Sequence, residues 1–425
     1  LVHGVLNDMF HGGTLQSSIS NQGYFIPGWL NEGLCEYLSN KGMDTRTDMF
    51  MRDVTISEEL PELQRISGYA QYRVGQTFYW YIANKYGEEK VADFINRLNI
   101  HKSLEIAFKS SFDMSIDEFN EMWQRDIKRI YWPDLDKFKS LQEIATRVTD
   151  REKMKNFYNS APSISPNGKK MAFISEDEGV YVIAIMDDLK KMSSIRPIIS
   201  SFRRQDFEDL NMLAPGISWN PAGTQLAISA KAGGQDAIFI TDAETGAYKK
   251  LTWGLKSIQS VQWSPDGKKL AFIGSIDEES DVFIYNFDSK ELKRLTDDVF
   301  SDESPKWSPD SKSIYFISDR GNVSTADLSS SQINMWNFDF ESNDIYKINI
   351  GSNEVERITT DSQNGKTSLA ISSDESKMLF VSDKNGIGNL YVMNLKTKET
   401  RPLTNSLQEI TQISLAKDDS KVLFG

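Results

Sequence analysis

The chain has very little cysteine and no long apolar run. Cys35 is the single cysteine among 425 residues, which excludes an internal disulfide and indicates little about the redox compartment. No apolar stretch approaches the roughly 18 residues needed to cross a bilayer. An initiator Met and a signal peptide are also missing, and Gly425 falls inside an apolar strand pattern. We therefore expect this sequence to be a piece of a longer protein, so the missing targeting segment carries no weight.

Basic residues are outnumbered by acidic ones. The chain has 48 Lys and Arg against 61 Asp and Glu, a formal net charge of −13. This balance argues against a nucleic acid partner and favours a basic protein or a polysaccharide surface. The composition, 39% hydrophobic and 26% charged, is ordinary for a soluble globular protein, and the length predicts two or three domains.

A five-residue phrase recurs through the last two thirds of the chain. Its fullest copy, at 263–267, reads Trp-Ser-Pro-Asp-Gly and is followed by the apolar strand start Leu270-Ala271-Phe272. Proline presets φ at the second position, and Asp-Gly tolerates the positive φ that the chain then needs, so each copy predicts a tight turn between strands. The six copies occupy residues 164–168, 219–223, 263–267, 307–311, 371–375 and 415–419.

The spacing of these copies predicts blades of about four strands each. The copies lie 55, 44, 44, 64 and 44 residues apart. A Leu-Thr or Ile-Thr pair closes four units, 32 residues after the turn in three of them and 51 in the fourth. The fourth unit therefore carries an insertion, which we assign to residues 321–341 and expect to form a long loop on one face.

These repeats resemble the six-bladed repeats of TolB, the periplasmic propeller of the Tol–Pal system, and those of the tricorn protease propellers. The resemblance covers residues 157–425 and implies a β-propeller in the bacterial periplasm or cell envelope. The sixth unit shows only its first strand, so we expect a longer parent protein to complete it. Glu375 and Asp419 replace the glycine in units five and six, where we expect looser turns.

Residues 1–135 carry helical rather than strand periodicity. Apolar side chains fall at helical spacing from Gly75 to Tyr86, with Gly87 as a stop signal, and Ser115 with Glu118 forms a capping-box pattern before a third helix. The predicted fold class is therefore multidomain α plus β. It comprises a helical lobe at 1–135, a charged connector at 136–156 and a propeller at 157–425.

Two stretches of the helical lobe resemble the gluzincin metallopeptidases, the peptidase MA-like group that contains thermolysin. Residues 29–33, Trp-Leu-Asn-Glu-Gly, are similar to the helix that carries the third zinc ligand. The resemblance implies His3 as the second histidine of a His-Glu-x-x-His motif and Glu32 as the glutamate ligand. Tyr72, in a Tyr-x-x-Gly context, matches the tyrosine placed near the transition-state oxyanion. The first histidine and the general-base glutamate would precede Leu1, so a zinc site needs that upstream segment.

Plainer interpretations stand beside these. His3 is a packing or surface residue on that view, Tyr72 is a core aromatic, and Glu36 either orients a ligand or is solvated. The three tryptophans at equivalent turn positions argue for packing rather than a ligand cage. The acidic pairs at 297–298 and 302–303 are taken as solvated loop faces, without a calcium ligand pattern.

Two functions therefore compete. One is a non-enzymatic scaffold or accessory subunit of the cell envelope that binds a protein partner. The other is an active zinc metallopeptidase in the full-length protein, with the propeller controlling peptide access. For the chain as it stands the scaffold is favoured, because one histidine without a general base cannot activate water.

Overall fold

The protein is described from a computed structural model. The described residues are 1–12, 26–156, 158–201, 206–211, 216–276, 279–326, 332, 343–361 and 365–425. They form two compact units, Leu1–Leu141 and Gln142–Gly425. Within the described ranges, no helix is long and apolar enough to cross a membrane.

The described part of the first unit is mainly helical, as the sequence predicts. Ser115 accepts from the Glu118 amide while Glu118 accepts from the Ser115 amide, so the capping box is confirmed. Gly87 ends the helix before it with a φ of 95°. The main helices are α1 (Val2–His11), α2 (Gly28–Ser39), α3 (Thr45–Ile56), α4 (Ala70–Tyr86), α5 (Glu89–His101), α6 (Leu104–Phe112) and α7 (Ile116–Tyr131).

A cluster of phenylalanines forms the centre of this unit. Phe78 of α4 lies between Phe94, Phe108 and Phe119, with ring centroids 5.6 to 5.8 Å apart in tilted or edge-on geometry. All four rings are fully buried. After α7, the 3₁₀ turn Trp132–Asp136 contains Pro133, which ends the helix as expected.

Helices α2 and α4 cross at a pair of glycines. A Cβ atom added to Gly75 would lie 2.8 Å from the Cα of Gly33, and one added to Gly33 would lie 2.7 Å from the Gly75 carbonyl oxygen. Any side chain at either position would push the backbones apart. The glycines that follow Glu32 and Tyr72 in the sequence motifs therefore have a packing role, since they bring these two helices together.

The second unit is a ring of antiparallel sheets. After two short helical turns, Leu141–Ile144 and Arg151–Met154, the chain forms five full blades and a final two-stranded sheet. Blade one contains β1 (Asn159–Ile164), β2 (Met171–Asp177), β3 (Val180–Met186) and β4 (Ile195–Ser200). Blade two contains β5 (Asp206–Asp209), β6 (Ile217–Trp219), β7 (Gln225–Ala232), β8 (Gln235–Asp242) and β9 (Tyr248–Leu251). Blade three contains β10 (Ser257–Trp263), β11 (Lys269–Ser275), β12 (Asp281–Asn286) and β13 (Leu292–Arg294).

Blades four and five repeat the same order, and the last two strands are short. Blade four contains β14 (Asp302–Trp307), β15 (Ser313–Ser318), β16 (Asp344–Asn349) and β17 (Val355–Arg357). Blade five contains β18 (Lys366–Ile371), β19 (Lys377–Ser382), β20 (Asn389–Asn394) and β21 (Thr400–Pro402). The final two-stranded sheet contains β22 (Ser414–Leu415) and β23 (Val422–Leu423). In blade two, β5 and β6 both pair with β7. The expected insertion lies between β15 and β16, largely outside the described residues.

The recurring turn joins β6 to β7 in blade two and the first strand to the second in the other units. Gly267 has a φ of 75°, as expected, but Glu375 and Asp419 also adopt positive φ values of 55° and 58°. Their amides donate to the first turn residue at 2.9 Å, the same distance as the Gly267 amide. The expectation of looser turns in units five and six is therefore wrong.

The replacements for glycine form contacts with the preceding unit instead. Glu375 accepts hydrogen bonds from Tyr315 and Lys347 of blade four, and Asp419 accepts from the amide and hydroxyl of Ser373 in blade five. These bonds offset the backbone cost of a left-handed residue. The sequence pattern could not show them, because they depend on which side chains the neighbouring blade presents.

The ring is closed by the two-stranded sheet between blades five and one. Gln412 accepts from the Ala161 amide, Ser414 accepts from the Ile164 amide, and the Ile413 amide donates to Ser368 of blade five. The expectation that unit six shows only its first strand is corrected, because β22 and β23 form a hairpin. The described residues thus contain five full blades, and a full sixth blade is not among them.

Candidate functional sites

His3 and Glu32 meet in the helical unit. The Nε2 atom of His3 lies 3.3 Å from Oε2 of Glu32, and His3 Nδ1 lies 3.4 Å from Oδ1 of Asn31. Helix α1 supplies the histidine, and the start of α2 supplies the other two side chains. The His3 side chain is 54% exposed and that of Glu32 is 26% exposed, so the pair is accessible from solvent.

The separation of the pair fits two ligands of one zinc ion. Two atoms bonded at about 2.0–2.1 Å to a tetrahedral zinc lie about 3.3–3.4 Å apart. The same separation also suits an ion pair without metal. Within the described parts of the chain, no third His, Cys, Asp or Glu joins them. Among the described residues, this pair alone therefore falls short of a complete zinc site.

The other candidate residues of this lobe lie on α2 and α4. Tyr72 is 38% exposed near the start of α4, and no described hydrogen bond joins its hydroxyl to His3 or Glu32. Glu36 accepts a hydrogen bond from the buried Arg73 at 3.2 Å while 28% of its side chain stays exposed, and no described hydrogen bond joins it to Glu32. Burial, together with the Glu32 carboxylate, raises the pKa of the Cys35 thiol.

The propeller has a cavity of about 500 Å³ where its turns converge. We call this side of the ring the turn face. All six units contribute the residue at the second turn position, and the innermost strands contribute polar side chains such as Gln262. The second-position residues are Pro166, Pro221, Pro265, Pro309, Ser373 and Lys417.

Two of the three repeated tryptophans hold neighbouring blades together. The indole N–H of Trp219 donates to the Ser163 carbonyl of blade one, and that of Trp307 donates to the Gln262 carbonyl of blade three. Trp263 instead donates to Gly267 of its own turn and stacks on Phe287 at 5.3 Å. Their positions favour packing, as expected, although all three also line the cavity.

Two serines that lie one residue before the turn phrase's first apolar residue bond to the neighbouring blade. Ser218 accepts from the Trp263 amide, and Ser414 accepts from the Ile164 amide. Both serines line the cavity, as does Gln262 at the same position of blade three. In blade four this position is Lys306, on the innermost strand β14. Sequence reasoning missed this lysine, although the repeat register could have identified it as the single cation among its equivalents.

Of the four acidic residues expected on solvated loop faces, Asp297 and Glu303 are exposed, but Asp298 and Asp302 are buried. Arg320 is fully buried and pairs with Asp298 at 3.0 Å and Asp302 at 2.6 Å, neither of which has an exposed side chain. The expectation of solvation was wrong for these two carboxylates, because it could not take account of a partner arginine that lies 18 to 22 residues later in the chain. Burial raises the pKa of Asp298 to about 6 despite the adjacent guanidinium.

The comparisons with known proteins concern the propeller. Residues 211–340 match the family model described as PD40, TolB beta propeller domain. No curated protein matches the chain in a sequence comparison. The second unit is thus a TolB-like β-propeller.

Three solved structures resemble the same region. TolB from Acinetobacter baumannii is 21% identical with a TM-score of 0.45, covering 60% of this chain and 58% of that one. A protein assigned as TolB from Agrobacterium tumefaciens is 22% identical with a TM-score of 0.46, covering 63% and 90%. The tricorn protease is 18% identical with a TM-score of 0.41, covering 61% and 28%. The chain thus spans less than two thirds of the first and third, and scores below 0.5 add no argument about function.

Proposed function

We propose that this chain is a cell-envelope propeller protein that binds a peptide or protein segment on its turn face. It would act as a scaffold or accessory subunit in the periplasm. The cavity of about 500 Å³ at the convergence of six turns carries the proposal. A concave site with both apolar and polar walls suits a short segment of a partner. The match to the TolB propeller family supports the envelope location.

Rigid walls strengthen the case for binding at this cavity. Each turn is held by its own hydrogen bonds, such as those from Ser264 and the Lys268 amide to the Asp266 carboxylate. The tryptophan bonds fix neighbouring blades against each other. A pre-formed site spends little binding free energy on ordering itself.

Selection of peptides from a displayed random library tests this function. Gln262→Trp would fill part of the cavity, and Ser289→Trp, an exposed site on the β12–β13 hairpin, adds the same ring elsewhere. We expect selected peptides to bind the native chain and the Ser289 variant but to lose at least tenfold in affinity for the Gln262 variant. Equal binding to all three proteins would reject the turn face as the site.

A second candidate function is favoured by one observation, the approach of His3 to Glu32. We propose that the helical lobe is a relic or a part of a zinc metallopeptidase of the gluzincin type. When bound, zinc would supply Lewis acidity at this pair, and His3 and Glu32 would hold it. Tyr72 stays a candidate for the oxyanion only on the strength of its motif.

Measurement of bound zinc distinguishes a zinc-binding His3–Glu32 pair from a metal-free ion pair left from a peptidase ancestor. Zinc content would be measured by mass spectrometry on the purified full-length protein, on its Glu32→Gln variant and on the control Glu121→Gln, whose side chain is exposed on α7. Zinc that is retained by the control but lost with Glu32→Gln supports the metal role of the pair. Equal zinc in all three proteins, or none in any, would leave the His3–Glu32 contact as an ion pair.

A further inference from the structure

The six units of the propeller follow one another around the turn-face cavity. Their inner strands contact each other in the order β1, β6, β10, β14, β18 and β22, and β22 contacts β1 again. Blade three, which contributes β10, is therefore three steps from the β22–β23 hairpin in either direction. Blade three thus lies across the cavity from the hairpin, and blade four lies next to blade three.

Two carboxylates line the cavity on the side of blades three and four. Asp266 and Asp310 occupy the third position of their turns, and both are exposed residues of the cavity lining. The Asp266 amide donates to the Ser311 hydroxyl at 3.2 Å, so the two turns adjoin. The equivalent residues Asp374 of blade five and Asp418 of the hairpin are not part of the lining. The third turn position therefore brings acidic charge to one side of the cavity only.

Each of these two carboxylates has an oxygen that its own turn does not use. Oδ1 of Asp310 accepts from the Ser308 hydroxyl at 2.7 Å and from the Lys312 amide at 3.0 Å, and no described hydrogen bond reaches its Oδ2. Asp266 is held through its Oδ1 in the same way, and its Oδ2 lies 3.8 Å from the Lys269 ammonium. The hydrogen bond from Ser308 lowers the pKa of Asp310, so this carboxylate is ionised at neutral pH.

The opposite side of the cavity carries a cation. Lys417 of the hairpin occupies the second turn position, where four other units have proline, and it is an exposed residue of the cavity lining. No described residue forms an ion pair with its ammonium. Asp419 lies two residues further on, but both of its carboxylate oxygens accept from Ser373 of blade five, at 2.7 to 3.1 Å. The cavity thus has two carboxylates on one side and an unpaired ammonium on the other.

We propose that the turn-face cavity binds a peptide segment of mixed charge, with a basic side chain beside Asp266 and Asp310 and an acidic side chain beside Lys417. This inference rests on the proposed peptide-binding function and specifies its ligand. Complementary charges across an interface fix its register and speed the encounter. A cavity of about 500 Å³ is about 10 Å across if it is round, the length of about three extended residues. The two charges of the ligand should therefore lie about three residues apart.

Four tetrapeptides test the two charges separately. They are acetyl-Lys-Gly-Gly-Glu-amide, its counterpart with Gln for Lys, its counterpart with Gln for Glu, and the neutral peptide with both changes. Binding would be followed through the indole N–H signals in the nuclear magnetic resonance spectrum, because Trp219, Trp263 and Trp307 line the cavity. We expect loss of the Lys to weaken binding about fivefold or more, since two carboxylates face it, and loss of the Glu to weaken it about two- to threefold.

Substitutions then assign the preference for lysine to the two carboxylates. Asp266→Asn combined with Asp310→Asn should remove it. The turns should stay intact, because Asn167 of blade one holds the same turn through its own Oδ1 atom. Asp374→Asn is the matched control, since it makes the same change in the turn of blade five, outside the cavity lining. This control should keep the preference for lysine.

The preference for glutamate has its own variant. Lys417→Ser introduces the side chain that blade five has at the equivalent position, Ser373. It should remove the preference for glutamate and keep that for lysine, whereas the double Asn variant should do the reverse. Each variant thereby controls for loss of fold in the other.

Several outcomes would overturn the inference. Equal affinity for all four peptides rejects the mixed-charge ligand. A lysine preference that persists in the double Asn variant, or that falls equally in Asp374→Asn, places the basic side chain elsewhere, and a glutamate preference that persists in Lys417→Ser rejects the role of that lysine. If no tetrapeptide shifts an indole signal at millimolar concentration, the inference is also rejected. A peptide from the library selection, measured alongside, then shows whether the proposed function stands by binding or falls as well.

Discussion

Two glycines allow helices α2 and α4 of the helical lobe to pack closely. Gly33 and Gly75 let α2 and α4 approach until their backbones touch. Glu32 and Tyr72 lie next to this crossing, so the candidate chemistry and the packing share the same few positions. The resemblance to the peptidase motifs included these two glycines without explaining them. The structure explains them, because a side chain at either position would collide with the backbone of the other helix.

Gly75→Ala tests this contact. The added methyl group would overlap the Trp29 carbonyl and the Gly33 backbone, so the helices must separate, and we expect a loss of about 2–3 kcal/mol in the free energy of unfolding. Gly4→Ala is the matched control, because nothing lies within 4 Å of its added Cβ. For Gly4→Ala we expect the free energy of unfolding to rise by about 0.5–1 kcal/mol, because alanine has the higher helix propensity. Chemical denaturation measures both, and equal effects would contradict the crossing.

Asp281 predicts a pH dependence of propeller stability. Burial raises its pKa to about 7, although Arg294 lies 2.6 Å away, and no described residue donates to its Oδ1 atom. The folded state therefore holds a proton that the unfolded chain loses near pH 4. Binding of this proton stabilises the folded state. The stabilisation is fully present below the pKa of Asp281 in the unfolded chain and is lost as pH rises through about 7.

Asp281→Asn removes this dependence. Blade five carries Asn389 at the equivalent position, where it accepts from Thr404 and the Ser406 amide, so an amide suits the site. Relative to the native protein, we expect the free energy of unfolding of the variant to be higher by on the order of 2–4 kcal/mol at pH 8 and to change little at pH 4. Thermal unfolding across this range provides the measurement. A variant whose stability tracks the native curve at every pH would show that Asp281 is ionised in the fold.

At the scale of elements, blades are joined by bonds that the repeat only partly reveals. The tight turn, the strand that follows it and the helical lobe were predictable, because proline, glycine and apolar spacing act locally. The buried pairs of Arg320 and the αL contacts of Glu375 were not, since they join residues from different strands or blades. The cavity likewise follows from the ring and not from any one repeat.

Trp219→Phe tests the joint between blades one and two. The change removes the indole donor and leaves the Ser163 carbonyl without its partner in a buried setting, at an expected cost of about 1–3 kcal/mol. Trp263→Phe is the control, because its indole bonds within its own turn and its ring is less buried. Denaturant unfolding should show the larger loss for Trp219. The reverse order would indicate that indole bonding between blades is unimportant.

At the scale of the whole propeller, the hairpin of β22 and β23 lies between blades five and one and bonds to both of them. Blade one presents an apolar face formed by Met171, Phe173 and Val182, and Leu423 of β23 packs against it with Val148 and Met154. The residues just before the first blade thus cover part of a surface that a neighbouring sheet would otherwise bury. Edge protection and burial are shared between both ends of this unit.

Strand β1 depends on side chains that lie far away in sequence, because the hairpin accepts hydrogen bonds from two of its amides. Gln412→Ala together with Ser414→Ala removes the acceptors of the Ala161 and Ile164 amides, some 250 residues distant. We expect faster hydrogen exchange at these amides and through β1, because strand edges open when their partners are lost. Ser420→Ala, which loses only a bond within its own turn, is the control and should leave β1 protected. If β1 exchanges equally slowly in both variants, the first blade must hold its edge without the hairpin, and ring closure would then be a consequence of blade packing rather than its cause.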